Sequence, residues 1–168
     1  MQTAPEAFQD LVSELDYPMF VVTAASNGAR AGCLVGFTTQ CSIDPARFLV
    51  CLSKNNATWE VARTADALAV HFLRADQREI AEHFGSVSAK DDPDKLTAWP
   101  LGSGPGGLPI LEDCDWFVGR VVGQVDLGDH TGFVLDPTDG ELDHGPGPQL
   151  GYDQLDDIEA GQPAGIDH

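Results

Sequence analysis

Short β-rich segments follow one another along this chain across tight turns, and that limits the sheet they can build. Met19 to Ala25 is an apolar, β-rich run, Ser26-Asn27-Gly28 is a hairpin signal, and Ala31 to Thr39 reads as the returning strand. Asp44-Pro45 turns the chain again before Phe48 to Leu52, a run apolar throughout and so expected to be buried on both faces. Leu68 to Leu73 reads as a further strand. Trp116 to Asp126 and Thr131 to Leu135 read as two more, around Gly128-Asp129-His130. Hairpin links imply antiparallel pairing, whereas a parallel sheet needs helical crossovers between its strands. The expectation is a mainly β protein with peripheral helices, its antiparallel sheet closed into a small barrel.

The helical signals are few. Thr3-Ala4-Pro5-Glu6 is a capping box, followed by Phe8, Leu11, Val12 and Leu15 at helical spacing and stopped by Pro18. Asn55 and Asn56 offer caps to a short helix over Thr58 to Thr64. Asp76 to Glu79 reads as a second capping box, opening a helix through Ile80, Ala81 and Phe84 that Gly85 ends. Ser86 to Gly107 is polar, then rich in Gly and Pro, which predicts a long surface excursion. From Gly145 onward the chain is an acidic tail in which Asp153 to Ala160 suits one or two helical turns. One domain over residues 1–144 is therefore expected, with residues 145–168 as a tail packed on it or on a dimer partner.

Charge narrows the function classes. Nine Lys and Arg face 27 Asp and Glu, and after Arg120 there are eleven acids and no Lys or Arg. Such a balance argues against nucleic-acid and anionic-membrane partners, which need a basic face. A phosphorylated ligand would have to be held by local cations, hydroxyls and backbone amides. The start of the chain lacks a signal-peptide pattern and no run is long enough to span a bilayer, so the expected location is the cytoplasm. The four cysteines, at 33, 41, 51 and 114, form no C-x-x-C pair and read as small buried thiols. No dinucleotide, Walker, nucleophile-elbow or metal motif is present.

The stretch from Gly32 to Thr64 stands out. A strand ends in Thr38, Thr39, Gln40, Cys41 and Ser42, and the next delivers Ser53, Lys54, Asn55, Asn56 and Thr58 to a helix start. A helix start with hydroxyls and one of the chain's three lysines suits a phosphate, and Gln40 suits the polar edge of a planar heterocycle. The same residues serve equally as a polar hairpin rim with ordinary capping. His71 and His83 read as structural, and Trp59 and Trp99 as packing residues.

In order and spacing these segments resemble the flavin reductase-like family of FMN-binding split barrels. Pro18 and Val21-Val22-Thr23 match the first strand of that family. Gly32 to Pro45 keeps the length and frame of its Gly-x-Thr-x-Asn-Ser-Phe-x-Ser-Val-Ser-x-Asp-Pro strand. Lys54 to Thr58, Ile80 to Gly85, Cys114 to Val125 and Gly128-Asp129-His130 match later family segments. The resemblance covers residues 8 to 160. Leu34, Gly36 and Phe37 replace the family's Thr, Asn and Ser, and Gln40 and Cys41 its later Ser and Val, so the ring environment differs.

The resemblance implies a closed, antiparallel split β-barrel of Greek-key type and a homodimer with FMN at the seam, FAD being the alternative flavin. By position, Thr38, Thr39, Gln40, Cys41 and Ser42 would line the flavin. Ser53, Lys54, Asn55 and Thr58 would hold its phosphate, and His130 would place a nicotinamide or move a proton. The implied activity is NAD(P)H:flavin reduction, with NADH or NADPH as donor and a monooxygenase as a partner that takes reduced flavin. A flavin-binding or electron-transfer module without turnover, and a split barrel holding haem, are the alternative readings.

Overall fold

The hairpin signal forms as read. Asn27 and Gly28 both have positive φ, 51° and 80°, as a type I′ turn requires. They join β1 (Phe20–Ser26) to β2 (Ala29–Val35) in register from Ser26–Ala29 to Phe20–Val35. The computed structural model describes residues 1–86, 95–143 and 147–155. Its remaining elements are β3 (Thr38–Ser42), β4 (Arg47–Ser53), β5 (Ala67–Phe72), β6 (Leu101–Ser103), β7 (Pro109–Leu111), β8 (Asp115–Asp126) and β9 (His130–Glu141). The helices are α1 (Ala4–Ser13), α2 (Ala57–Ala62) and α3 (Arg78–Ser86). The capping box of α1 is made in both directions between Thr3 and Glu6.

Seven strands form one antiparallel sheet in the order β2-β1-β5-β8-β9-β4-β3. The closed barrel expected from the sequence is corrected here: the ladder ends at β2 on one side and β3 on the other. Ala31 to Thr39 is not one strand. Its backbone leaves β1 after Val35 and joins β4 from Thr38, and Cys51 N–H donates to Phe37 O within the break. Gly36 sits at this break, where an added Cβ would lie 3.2 Å from Met19 Sδ. The two edges of the sheet are thus linked through residues 36 and 37 of the backbone, not by strand pairing.

The inner face of the sheet buries Phe20, Val22, Val35, Val50, Leu52, Leu68, Val70, Phe133 and Leu135 in one cluster. Each such side chain stabilises the fold by roughly 1.5–3 kcal/mol relative to exposure. Phe48 and Phe117 pack on that cluster, edge to face at 5.3 Å, and Phe72 meets Phe20 at 4.9 Å. Phe48 and Leu49 keep partial exposure, so β4 is not buried on both faces as expected.

A second layer covers β1 and β2 from outside. Met19 and Val21 pack there with Ile80 and Phe84 of α3, Leu96, Leu111, Leu150 and Leu155. Of the stretch Ser86 to Gly107 read as a surface excursion, residues 87–94 lie outside the described residues, and Lys95 and Leu96 are buried, as are Leu108, Ile110 and Leu111 just after it. Gly106 and Gly107, with φ of 67° and 80°, make a turn, and the residues on either side of it pair as β6 and β7. His71 of β5 ties this layer to the sheet. It accepts from Leu111 N–H at 3.0 Å and its other ring nitrogen donates to Val21 O at 2.9 Å. Complete burial lowers its pKa to about 4.

Residues 147–155 run beside the same layer, with Leu150 bonded to Met19 and Leu73 main-chain groups and Tyr152 N–H to Tyr17 O. Of the helical turns expected over Asp153 to Ala160, only the stretch to Leu155 lies within the described residues, where Tyr152–Leu155 is a 3-10 turn. β9 continues past the expected stop at Leu135. Asp136-Pro137 reads as a breaker, but β4 pairing ends at Leu135 and Pro137 faces a bulge in β8, so no ladder bond needs its missing N–H. Among the described residues no helix is long and apolar enough to cross a membrane.

Candidate functional site

The end of β4 and the start of β9 meet in register at Ser53 and His130. The turn before His130 is set by its own sequence. Gly128 takes φ 125°, its N–H donates to Asp126 Oδ1 at 3.1 Å, and Leu127 N–H donates to His130 O at 3.0 Å. That turn holds the imidazole at the rim, 12% exposed, with Nδ1 2.8 Å from Asp129 Oδ1. A carboxylate at Nδ1 keeps the proton there, which leaves Nε2 as the nitrogen able to accept from a ligand. The ring packs on Phe37 at 5.2 Å, and Phe37 on Tyr17 at 5.7 Å. Phe37 therefore anchors the imidazole from the break between β2 and β3.

Lys54 follows Ser53 and faces the same turn. Its N–H donates to Asp129 O at 2.9 Å and its Nζ lies 2.8 Å from Asp126 Oδ1. The lysine holds the Asp126 carboxyl below the ordinary carboxylate range. Beyond it the loop is self-bonded. Ser53 Oγ accepts from Asn55 N–H at 3.3 Å, and Asn56 Oδ1 caps Thr58 N–H at 2.8 Å. The cap of α2 is thus Asn56, and the helix has only six residues, too short for its dipole to dominate. Thr58 Oγ1 is buried against the Cys33 thiol, its nearest polar neighbour, and makes no strong hydrogen bond. Trp59 Nε1 donates to Thr131 Oγ1 at 2.9 Å, fixing α2 against β9.

The residues of β3 lie further along. Gln40 pairs opposite Phe48, five residues up β4 from Ser53, or about 17 Å at the usual strand rise. Thr38 and Ser42 are half-buried, while Thr39, Gln40 and Cys41 are exposed. Thr39 Oγ1 donates to Gln40 O, Gln40 Nε2 donates to Ser42 O, and a register shift leaves Cys41 unpaired. β3 is an edge strand, so one row of its amides and carbonyls is open to a ligand.

The fold thus gathers Ser53, Lys54, Asn55 and His130 at one end of an elongated rim, with Thr38 to Ser42 along its length, while Thr58 is buried behind it beside Cys33. Phe37, Asp126, Asp129 and Tyr17 belong to the same cluster and were not picked from the sequence. The signal for Phe37 was its replacement of a small polar family residue; for Asp129 it was the Gly-Asp-His triplet. Cys41 is exposed, against the expectation of a buried thiol, because β3 is an edge. Burial pushes the Cys33 and Cys51 thiols up, and the Cys114 thiol up to about 12, so none of the three supplies a thiolate near neutrality. Among the described residues no group of three His, Cys, Asp or Glu could hold a metal ion.

A family model described as flavin reductase like domain matches residues 12–158. A protein named probable flavin reductase from Rhizobium meliloti (strain 1021) is 30% identical over 131 residues, covering 75% of this chain and 40% of its own. The chain thus spans less than half the length of that relative. A protein named FMN reductase (NADH) RutF from Bradyrhizobium diazoefficiens is 25% identical over 128 residues, covering 76% of this chain and 70% of its own. The crystal structure of a flavin reductase domain protein from Arthrobacter sp. FB24 superposes with a TM-score of 0.78 at 20% identity, over 96% of this chain and 97% of that one.

Proposed function

Because the chain belongs to the flavin reductase-like family, we propose that it reduces FMN with NADH or NADPH at the rim formed by β3, β4 and β9. The observation that carries this reading is the meeting of two groups at one turn: the His130–Asp129 pair, in register with Ser53, and the Lys54 ammonium. Those residues fit a flavin mononucleotide. A cation beside a serine hydroxyl suits a phosphate. The open edge of β3 offers paired donors and acceptors to a planar ring system.

In this reading Ser53, Lys54 and Asn55 bind the phosphate, with Thr58 behind them. Thr38, Thr39, Gln40, Cys41 and Ser42 border the ring. When bound, the flavin supplies the hydride acceptor and the protein supplies its position. His130 Nε2 orients the nicotinamide donor or hands over a proton, and Asp129 fixes the tautomer that does so. Lys54 is already paired with Asp126, which moderates its hold on a phosphate. That supports flavin as an exchangeable substrate, released in reduced form to a partner monooxygenase. The reading also takes residues 1–144 as the flavin-binding domain, residues 145–168 as a tail packed on it, the cytoplasm as location and the homodimer as working unit.

Anaerobic rapid mixing tests it. Protein equilibrated with FMN should bleach the flavin absorbance on mixing with NADH or NADPH, faster than free FMN does. Binding of FMN without bleaching by either nucleotide leaves a flavin-binding module and overturns the reductase reading.

A further inference from the structure

The far end of the sheet holds a cavity that the rim chemistry does not use. β8 begins and β9 ends beside it, so it lies at the opposite end of both strands from Asp126 and His130. Its volume is about 520 Å³, within the range of small-molecule pockets. Phe72, Trp116, Phe117 and Leu142 supply apolar walls, and Phe72 and Leu142 keep 37% and 74% exposure. Arg74 also lines the cavity. Its Nη1 is buried and has no hydrogen-bond partner among the described residues. Its Nε reaches Asp76 Oδ1 only at 3.4 Å, and that aspartate is 78% exposed. A guanidinium carries five donors, and burying one of them unmatched is costly unless a ligand accepts from it. Two carboxylates share the wall. Asp115 accepts from Asp143 N–H at 2.9 Å, and Glu141 is exposed. One cation beside two carboxylates disfavours a multiply charged ligand such as a phosphate.

We infer that this cavity binds an aromatic monocarboxylate, its ring among Phe72, Trp116 and Phe117 and its carboxylate on Arg74. A planar carboxylate matches the fork of a guanidinium and supplies the acceptor that Nη1 lacks. The three aromatic side chains offer faces and edges to a ring. Phe72 and Phe117 also pack on the inner core, Phe72 on Phe20 at 4.9 Å and Phe117 on Phe48 at 5.3 Å. A bound ring therefore extends an aromatic cluster already in place, and occupancy stabilises the folded chain. The site stands apart from the rim in place and in ligand charge, and does not rest on the reductase reading.

Isothermal titration calorimetry on the full chain, with and without excess FMN, tests the site. The probe is indole-3-acetate, and indole-3-acetamide is its uncharged isostere. The acid should bind once per chain, about tenfold more tightly than the amide, the difference of one charge-assisted contact. Excess FMN and Lys54→Ala should leave its affinity unchanged, since both act at the rim. Arg74→Met should abolish the preference for the acid, and the acid should no longer raise the melting temperature of that variant. Leu142→Glu changes an exposed side chain, so it should keep the circular dichroism of the wild type. It adds a carboxylate to the wall and should weaken the acid several-fold; if Arg74→Met does not fold, this variant decides. No heat from the acid, or equal affinity for acid and amide, overturns the site. So does a preference that survives Arg74→Met, an affinity unmoved by Leu142→Glu, or displacement of the acid by FMN. None of these outcomes touches the bleaching of FMN, so the reductase reading stands or falls separately.

Discussion

The layer behind β1 and the rim in front of β4 each hold a histidine, and the two are treated in opposite ways. His71 has both ring nitrogens bonded to backbone, Val21 on one side and Leu111 on the other, with no solvent near it. His130 has one nitrogen bonded to an exposed carboxylate, and its ring lies at the rim, 12% exposed. Both ring nitrogens of His71 are matched within the protein, although Trp99 Nε1 of the same layer is buried without a partner. At the rim an edge strand keeps one row of backbone groups unpaired and a lysine is offset by a carboxylate that solvent also reaches. The buried histidine serves stability because its bonds close inside the protein. The rim histidine and lysine have exposed partners, with which a ligand can compete.

The largest effect is expected behind β1. His71→Ala strands the Leu111 N–H and the Val21 carbonyl and opens a cavity, at a cost of about 3–5 kcal/mol in unfolding free energy measured by urea titration. The wild type should also lose stability in acid, and the sign follows from the lowered pKa. Folded His71 stays neutral down to about pH 4, whereas the unfolded histidine takes a proton near 6.5, so below 6.5 the unfolded state binds more protons. Stability from this group falls between pH 6.5 and 4, by about 3 kcal/mol in total. Urea midpoints that stay flat over that window would remove His71 as a buried clamp.

At the rim the order reverses. His130→Ala removes a ring that is 12% exposed and packs on Phe37, and should cost about 1 kcal/mol of unfolding free energy, well below His71→Ala. Flavin reduction by NADH or NADPH should slow by about 10²-fold, read by rapid mixing, with FMN affinity nearly unchanged. Bleaching at the wild-type rate would make His130 a turn residue and bring the two histidines closer in kind. Lys54→Ala should weaken FMN binding by about tenfold, the loss of one charge-assisted contact, and leave riboflavin binding unaltered. Equal losses for both ligands would move the phosphate elsewhere.

The same contrast explains what the sequence made legible. The hairpin at Asn27-Gly28, the capping box at Thr3 and the helix through Ile80, Ala81 and Phe84 rest on local chemistry, and they formed, the last running one residue past the expected stop at Gly85. The break at Gly36-Phe37 was missed because it depends on which partner strand each side of the residue pair meets, Met19 and Cys51 being distant in sequence. The burial of Lys95 and Leu96 was missed because polar residues, Gly and Pro dominated the signal of Ser86 to Gly107, while these two find their cover only in the folded chain. At the site, residue types and spacing pointed to Lys54 and His130. They carried no sign that Asp126 would close on Lys54, since 72 residues separate the two.

That ion pair gives the smallest and most discriminating prediction. Asp126 is fully exposed, so removing its carboxylate should change the stability of the fold very little. Its effect on ligand should be of opposite sign to that of Lys54→Ala. In the free protein Lys54 Nζ is 2.8 Å from Asp126, and a phosphate arriving at Lys54 must share or displace that contact. Asp126→Asn keeps an acceptor for the Gly128 N–H, which preserves the turn before His130, but removes the competing charge. FMN should then bind a few-fold more tightly, riboflavin should not, and the gain should shrink as salt is raised, because the competition is electrostatic and exposed. In the double variant with Lys54→Ala the gain should vanish, since Asp126 would no longer have a cation to occupy. A gain that persists without Lys54 would mean that Asp126 repels the phosphate directly. Tighter binding of riboflavin as well would mean that the substitution had reshaped the turn, and the rim would then resemble the back layer, where geometry and not charge sets the outcome.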